Sequence, residues 1–201
     1  MKNSTFFRAV IATCAFALAS QASAAVIYEF DAAGKLSVAK GVIVNGSTYN
    51  VSFVDGTCSA LFSGCDSPSD FTFQNLVYAQ AAASALLAQV FIDTSAGSFD
   101  TASDKVTGCS SNYNCATLIP FAVSGSNFNF AYVANYYEAN DSFDRAYISM
   151  TSRTIDSSEN IGPGINFAKF QLAAAEVPEP SSVALMGLAM AGLAISRRRK
   201  S

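Results

Sequence analysis

Two runs of strand-like residues, 38–44 and 47–54, flank the dipeptide Asn45-Gly46. Asn-Gly supplies the two positive φ values of a type I′ turn, so the pattern predicts a β-hairpin. A two-residue turn sets Val42 opposite Tyr49, Val38 opposite Phe53 and Lys40 opposite Val51. One face is then apolar but interrupted by Lys40, while Asn50 and Ser52 point the other way. Further along, Leu76, Val77, Ala83, Leu86, Leu87 and Val90 recur at three- and four-residue steps and predict a helix over 73–91. Ser69, Asp70 or Thr72 can cap it, and its alanine content lets it lie close against a sheet. Strand signals also fall at 25–31, 118–123, 127–133, 146–151 and 165–172, and residues 93–114 read as a long polar loop. The fold class predicted is α+β: an antiparallel sheet, one long packed helix and polar loops in a single domain over 25–176.

The ends follow a different grammar. Lys2 and Arg8 precede an apolar stretch, 9–19, and Ala22-Ser23-Ala24 is a small-residue cleavage site, the pattern of a secretory signal peptide over 1–24. The exported chain is therefore predicted to begin at Ala25, after cleavage at the Ala24–Ala25 bond. At the other end Val177-Pro178-Glu179-Pro180 comes before the apolar run 183–195 and the basic cluster Arg197, Arg198, Arg199 and Lys200. The prolines remove backbone donors and favour an extended, exposed strand that a processing enzyme can grip. Ser181 or Ser182 can start a helix in which only Gly187 and Gly192 interrupt the apolar run. At about 1.5 Å per residue that helix covers roughly 20 Å against a hydrocarbon thickness of about 30 Å. Snorkelling arginines and local thinning let so short a segment insert, with the basic end on the cytoplasmic side.

The order Pro-Glu-Pro, short transmembrane helix, basic end resembles the PEP-CTERM sorting signal of exported bacterial proteins handled by an exosortase. The resemblance covers residues 177–201 and implies that Pro178, Glu179 and Pro180 are recognised by the membrane enzyme. It also implies transient anchoring through the C-terminal helix, removal of the tail, and delivery to the cell surface or its exopolysaccharide. The stretch from 38 to about 93 resembles passenger domains of PEP-CTERM proteins, a likeness that supplies no activity. The partners implied are the secretion machinery and the exosortase, both transient, with extracellular polysaccharide as a further partner.

Cysteine and charge fit that destination. Cys14 leaves with the signal peptide, and Cys58, Cys65, Cys109 and Cys115 remain, an even number that points to disulfides in an exported domain. Four cysteines allow three pairings, of which close spacing favours Cys58 with Cys65 and Cys109 with Cys115. Removing both signals takes away six positive charges and the negative Glu179, which moves the net charge from −3 to −8. Nothing in so acidic a domain resembles the basic footprint of a nucleic-acid binder.

Candidate chemistry is sparse. The chain has no histidine, which removes histidine-based triads, imidazole general bases and histidine metal clusters. Lys35, Lys40, Lys105 and Lys169 stand in no S-x-x-K motif, and no phosphate-binding glycine loop is present. Glu29 with Asp31, or Glu138 with Asp141 and Asp144, are candidate carboxylate pairs for glycoside hydrolysis. Asp100, Asp104, Asp141 and Asp144 are candidate calcium ligands. Tyr132, Tyr136 and Tyr137, beside Asn129, Asn135 and Asn140, form a candidate sugar-facing patch, although alternation would bury some of the rings. The reading expected is an exported, non-catalytic surface protein that needs no cofactor and no metal. A saccharide-binding module is the alternative, and a carboxylate-dependent glycosidase the third.

Overall fold

The structure, a computed structural model, describes residues 25–111, 113–136, 144–148, 153–155 and 164–174. The hairpin forms where Asn45 and Gly46 adopt φ of 49° and 82°, joining β2 (Leu36–Val44) to β3 (Ser47–Val54). Val42 pairs with Tyr49 as expected, but the register then slips: Val38 faces Ser52 and Lys40 faces Asn50. The cause is a bulge at Gly41, whose φ of 87° suits glycine. The extra residue turns Lys40 away from Val51, so that Ala39 and Val51 pair as two fully buried residues. Lys40 instead forms an ion pair with Glu29 of β1 (Ile27–Phe30), which lies antiparallel to β2.

A short helix, α1 (Cys58–Leu61), and a 3₁₀ turn at Pro68–Asp70 follow. The long helix α2 spans Leu76–Gln89, shorter than expected, and its cap is Asn75, whose side chain accepts from Tyr78 N. Asp70 is engaged elsewhere, in a capping box with Ser67 on the 3₁₀ turn. Ala79, Ala82, Ala83 and Leu86 of α2 are fully buried, whereas Val77, counted with the core from its spacing, is 71% exposed. The helix is therefore amphipathic by size: small side chains face the sheet, and it packs on β2, β6, β7 and β8.

Beyond α2 lie a small hairpin, β4 (Asp93–Thr94) and β5 (Gly97–Ser98), a 3₁₀ turn at Ser103–Lys105, then β6 (Asn114–Ser124) and β7 (Asn127–Tyr136). The chain finishes with β8 (Arg145–Ile148), β9 (Arg153–Thr154) and β10 (Ile165–Leu172). The stretch 93–114, read as loop throughout, thus contains a hairpin and the first residue of β6.

The sheet order is β1-β2-β3-β10-β6-β7-β8, with β9 also on β7. It is not wholly antiparallel as predicted: Ile165, Asn166 and Phe167 of β10 run parallel to Ala116, Thr117 and Leu118 of β6. Past Phe167, β10 pairs only with β3 among the described residues, and the Thr72 hydroxyl donates to Phe170 O on the opened side. Residues 71–73 fill that split, Phe71 packing on one face of the sheet and Phe73 on the other. The split, together with bulges at Gly41 and at Phe121 beside donorless Pro120, curls the sheet around α2.

Two cores result. The helix side gathers Val42, Val51, Phe53, Leu86, Phe91, Ile119 and Val133, and the opposite side gathers Phe62, Phe71, Leu118, Phe128, Phe130 and Phe167. Each contains one disulfide, Cys109–Cys115 in the first and Cys58–Cys65 in the second, with Cα atoms 5.8 and 5.6 Å apart. The pairing favoured by spacing is therefore the one found. Lys169 Nζ donates to Leu61 O at 2.6 Å and lies 5.5 Å from the Phe62 ring, holding the disulfide-closed segment over the second core.

Candidate functional site

β1 covers only the first part of β2, so among the described residues the edge of β2 near Ile43 has no strand neighbour on that side. Gln89, the last residue of α2, fills the gap. Its Nε2 donates to Ile43 O and its Oε1 accepts from Ile43 N, both at 2.9 Å. The side-chain amide thus stands in for a strand residue and blunts the edge. The Gln89 main-chain carbonyl, freed at the helix end, accepts from the Tyr28 hydroxyl at 3.1 Å. Burial pushes the Tyr28 phenol upward, so it remains a protonated donor at neutral pH.

The facing wall is the β4–β5 hairpin. The Asp93 carboxylate accepts from Asp100 N, Thr101 N and the Thr101 hydroxyl at 3.1, 3.2 and 2.8 Å. Desolvation works against its charge, but these three bonds outweigh it and hold the carboxyl below its ordinary range. Thr94 Oγ1 accepts from Ala96 N at 3.1 Å, fixing the turn. A Cβ on Gly97 would lie 2.6 Å from the ring of buried Phe99, so glycine is what lets that ring underpin the hairpin. The same ring packs tilted against Tyr28 at 5.1 Å and stacks with Phe30 at 6.2 Å.

Between these walls lies a cleft of about 480 Å³ lined by Ala25, Val26, Tyr28, Gln89, Ile92, Thr94, Ser95 and Ala96. None of these side chains carries a charge at neutral pH. Hydroxyls, one amide and apolar walls can bind and orient a neutral group, and Tyr28, the one titratable side chain among the lining residues, is held protonated by burial. The sequence contained little to mark this site beyond the turn residues Ser95-Ala96-Gly97. Its walls come from three separated segments.

A family model described as the PEP-CTERM protein-sorting motif matches residues 176–200. The chain carries a PEP-CTERM sorting signal. Such a signal implies export, exosortase processing and sorting to the cell surface, and it leaves the activity of the passenger open. No curated protein and no solved structure matches the chain. Pro178, Glu179, Pro180, Arg197, Arg198, Arg199 and Lys200, with the 183–195 helix expected to cross the membrane, lie outside the described residues. Among the described residues no helix is long and apolar enough to cross one. Of the expected signal-peptide junction, Ala24 lies outside and Ala25 sits exposed at the cleft.

Among the other candidates in the PEP-CTERM passenger, Glu29, Asp31, Asp144, Tyr132 and Asn135 are engaged structurally. Glu29 pairs with Lys40, while Asp31 accepts from Ala33 N, Lys35 N and the Thr107 hydroxyl at 2.8, 2.9 and 2.8 Å. The Lys35 amide and the Thr107 hydroxyl hold the Asp31 carboxyl below its ordinary range. Glu138, Asp141, Tyr137 and Asn140 lie outside the described residues. Asp144 accepts from Tyr136 N at 2.7 Å. Among the described residues no three of Asp, Glu or Cys gather as a metal-binding group, so Asp100, Asp104 and Asp144 are not brought together as one. Tyr132 is stacked on Tyr147 at 5.1 Å and packs against the second core, and Asn135 is buried, its amide donating to Phe99 O. The expected tyrosine and asparagine patch is thus divided between the two faces of β7.

Proposed function

We propose that residues 25–176 are an exported, non-catalytic passenger that resides at the cell surface or in its exopolysaccharide once an exosortase has removed the tail. The observation that carries this reading is the sorting motif at 176–200 behind a domain closed by two short-range disulfides. Disulfides in both cores fit an oxidising destination. The absence of histidine and the structural engagement of Glu29 and Asp31 support a role in binding or scaffolding over turnover. Fractionation of cells producing the native protein or a Pro178→Ala/Glu179→Ala/Pro180→Ala variant tests it. Native protein is expected in the surface polymer fraction and the variant in the membrane. Equal distribution of the two would overturn the proposal.

A saccharide-binding module is the second reading, favoured by the hydroxyl-bearing cleft whose lining side chains are uncharged. The two readings are compatible, since retention in a polymer matrix can be the means of residence.

A further inference from the structure

We infer that the cleft between Gln89, Tyr28 and the β4–β5 turn is a subsite for a neutral sugar residue of a polysaccharide, an inference that rests on the proposed residence in extracellular polymer. Its volume, about 480 Å³, falls in the range of small-molecule sites. Its polar atoms retain hydrogen-bonding capacity toward a ligand. Gln89 Nε2 spends one N–H on Ile43 O and has a second to donate. Thr94 Oγ1 accepts from Ala96 N and keeps its own proton, and Ser95 offers a hydroxyl at the exposed turn. The Tyr28 oxygen donates to Gln89 O and retains lone pairs to accept. Donors and an acceptor are thus interleaved with Val26 and Ile92, a pattern that suits a ring bearing hydroxyls on its rim and C–H groups on its faces.

No lining side chain offers a counter-charge to an ionic ligand, and although cleavage before Ala25 places one α-ammonium at the cleft, the acidic domain as a whole repels polyanions. A wholly apolar ligand would bury the Thr94 hydroxyl proton and the Ser95 hydroxyl without a partner. The walls are also preorganised. Gln89 is fixed at both ends of its amide, Tyr28 is held at its hydroxyl and backed by Phe99, and the hairpin is pinned through Asp93. Little side-chain freedom remains to be lost on binding.

The test uses the processed protein recovered from cells, as wild type and as Ser95→Trp, which places a bulky ring at the cleft from an exposed turn. Thr94→Val is the second variant should the first fail to fold, and an unchanged urea midpoint establishes folding. Calorimetric titration with cellotetraose and maltotetraose is expected to give binding by wild type that Ser95→Trp weakens about tenfold or more. Tetragalacturonate is expected not to bind. No binding of either neutral probe, unchanged affinity in the variant, or equal binding of tetragalacturonate would each overturn the inference. Retention on native surface polymer separates the two claims. If wild type and variant are retained alike, the cleft is not the subsite while the polymer reading stands. If wild type is not retained, the polymer reading fails and the inference with it.

Discussion

Leu86 and Val77 both fall on the apolar spacing of α2, yet the structure separates them: Leu86 is fully buried and Val77 is 71% exposed. Leu86→Ala deletes a buried side chain whose neighbours on the helix, Ala79, Ala82 and Ala83, are too small to move into the space. The lost transfer energy and the residual cavity together cost about 3 to 4 kcal/mol. Val77→Ala removes atoms already in water and gains helix propensity of roughly 0.5 kcal/mol, so its effect stays within about 0.5 kcal/mol of zero. In urea, with a slope of about 2 kcal/mol/M for a domain of this size, Leu86→Ala should lower the unfolding midpoint by about 1.5 to 2 M. Val77→Ala should leave the midpoint within about 0.25 M of wild type on the same slope. The assay is equilibrium unfolding of the oxidised domain, followed by far-ultraviolet circular dichroism. Comparable shifts for the two variants would refute the claim that α2 packs through its alanine face.

Three further outcomes follow from the same contacts. Peptide mapping without reduction should return Cys58 linked to Cys65 and Cys109 linked to Cys115, and replacing either pair by serine should cost about 2 to 2.5 kcal/mol on the chain-entropy account of so small a loop. Because hydrogen bonds lower the Asp31 carboxyl in the folded state, its contribution is complete above the ordinary value of about 3.9 and is lost as pH falls through the lowered one. Urea midpoints between pH 5 and 2 should therefore fall more steeply for wild type than for Asp31→Asn, and parallel profiles would count against this. Gln89→Ala should cost about 1 to 2 kcal/mol and, by exposing the β2 edge at Ile43, increase self-association measured by light scattering; unchanged scattering would show that the edge needs no cover.

What was legible in the sequence was local. Asn45-Gly46 announced its turn because both residues tolerate the positive φ values of a type I′ hairpin, and the cysteine pairs announced themselves by spacing. The register beyond Gly41 was not legible, since a bulge moves every pairing past it and leaves only a glycine as its mark. Nor was the position of β10: its insertion between β3 and β6, parallel to one and antiparallel to the other, is decided by packing over more than 100 residues of chain. Val77 was misplaced because helical spacing does not distinguish a stripe of alanines from the leucine and valine stripe beside it. The cleft combines the start of β1, the end of α2 and a hairpin of two-residue strands, each too weakly patterned to be read alone. The sorting motif, in contrast, is read by order and composition and needs no fold.

The central claim is that this is an exported passenger delivered and trimmed through its PEP-CTERM signal. The direct test is the intact mass of the native protein from fractionated cells. A chain that starts at Ala25, ends near Pro178 to Pro180 and is recovered from the surface polymer is the result expected. A chain that keeps Arg197 to Lys200 and sits in the membrane fraction would contradict it, and would make the tail a permanent anchor.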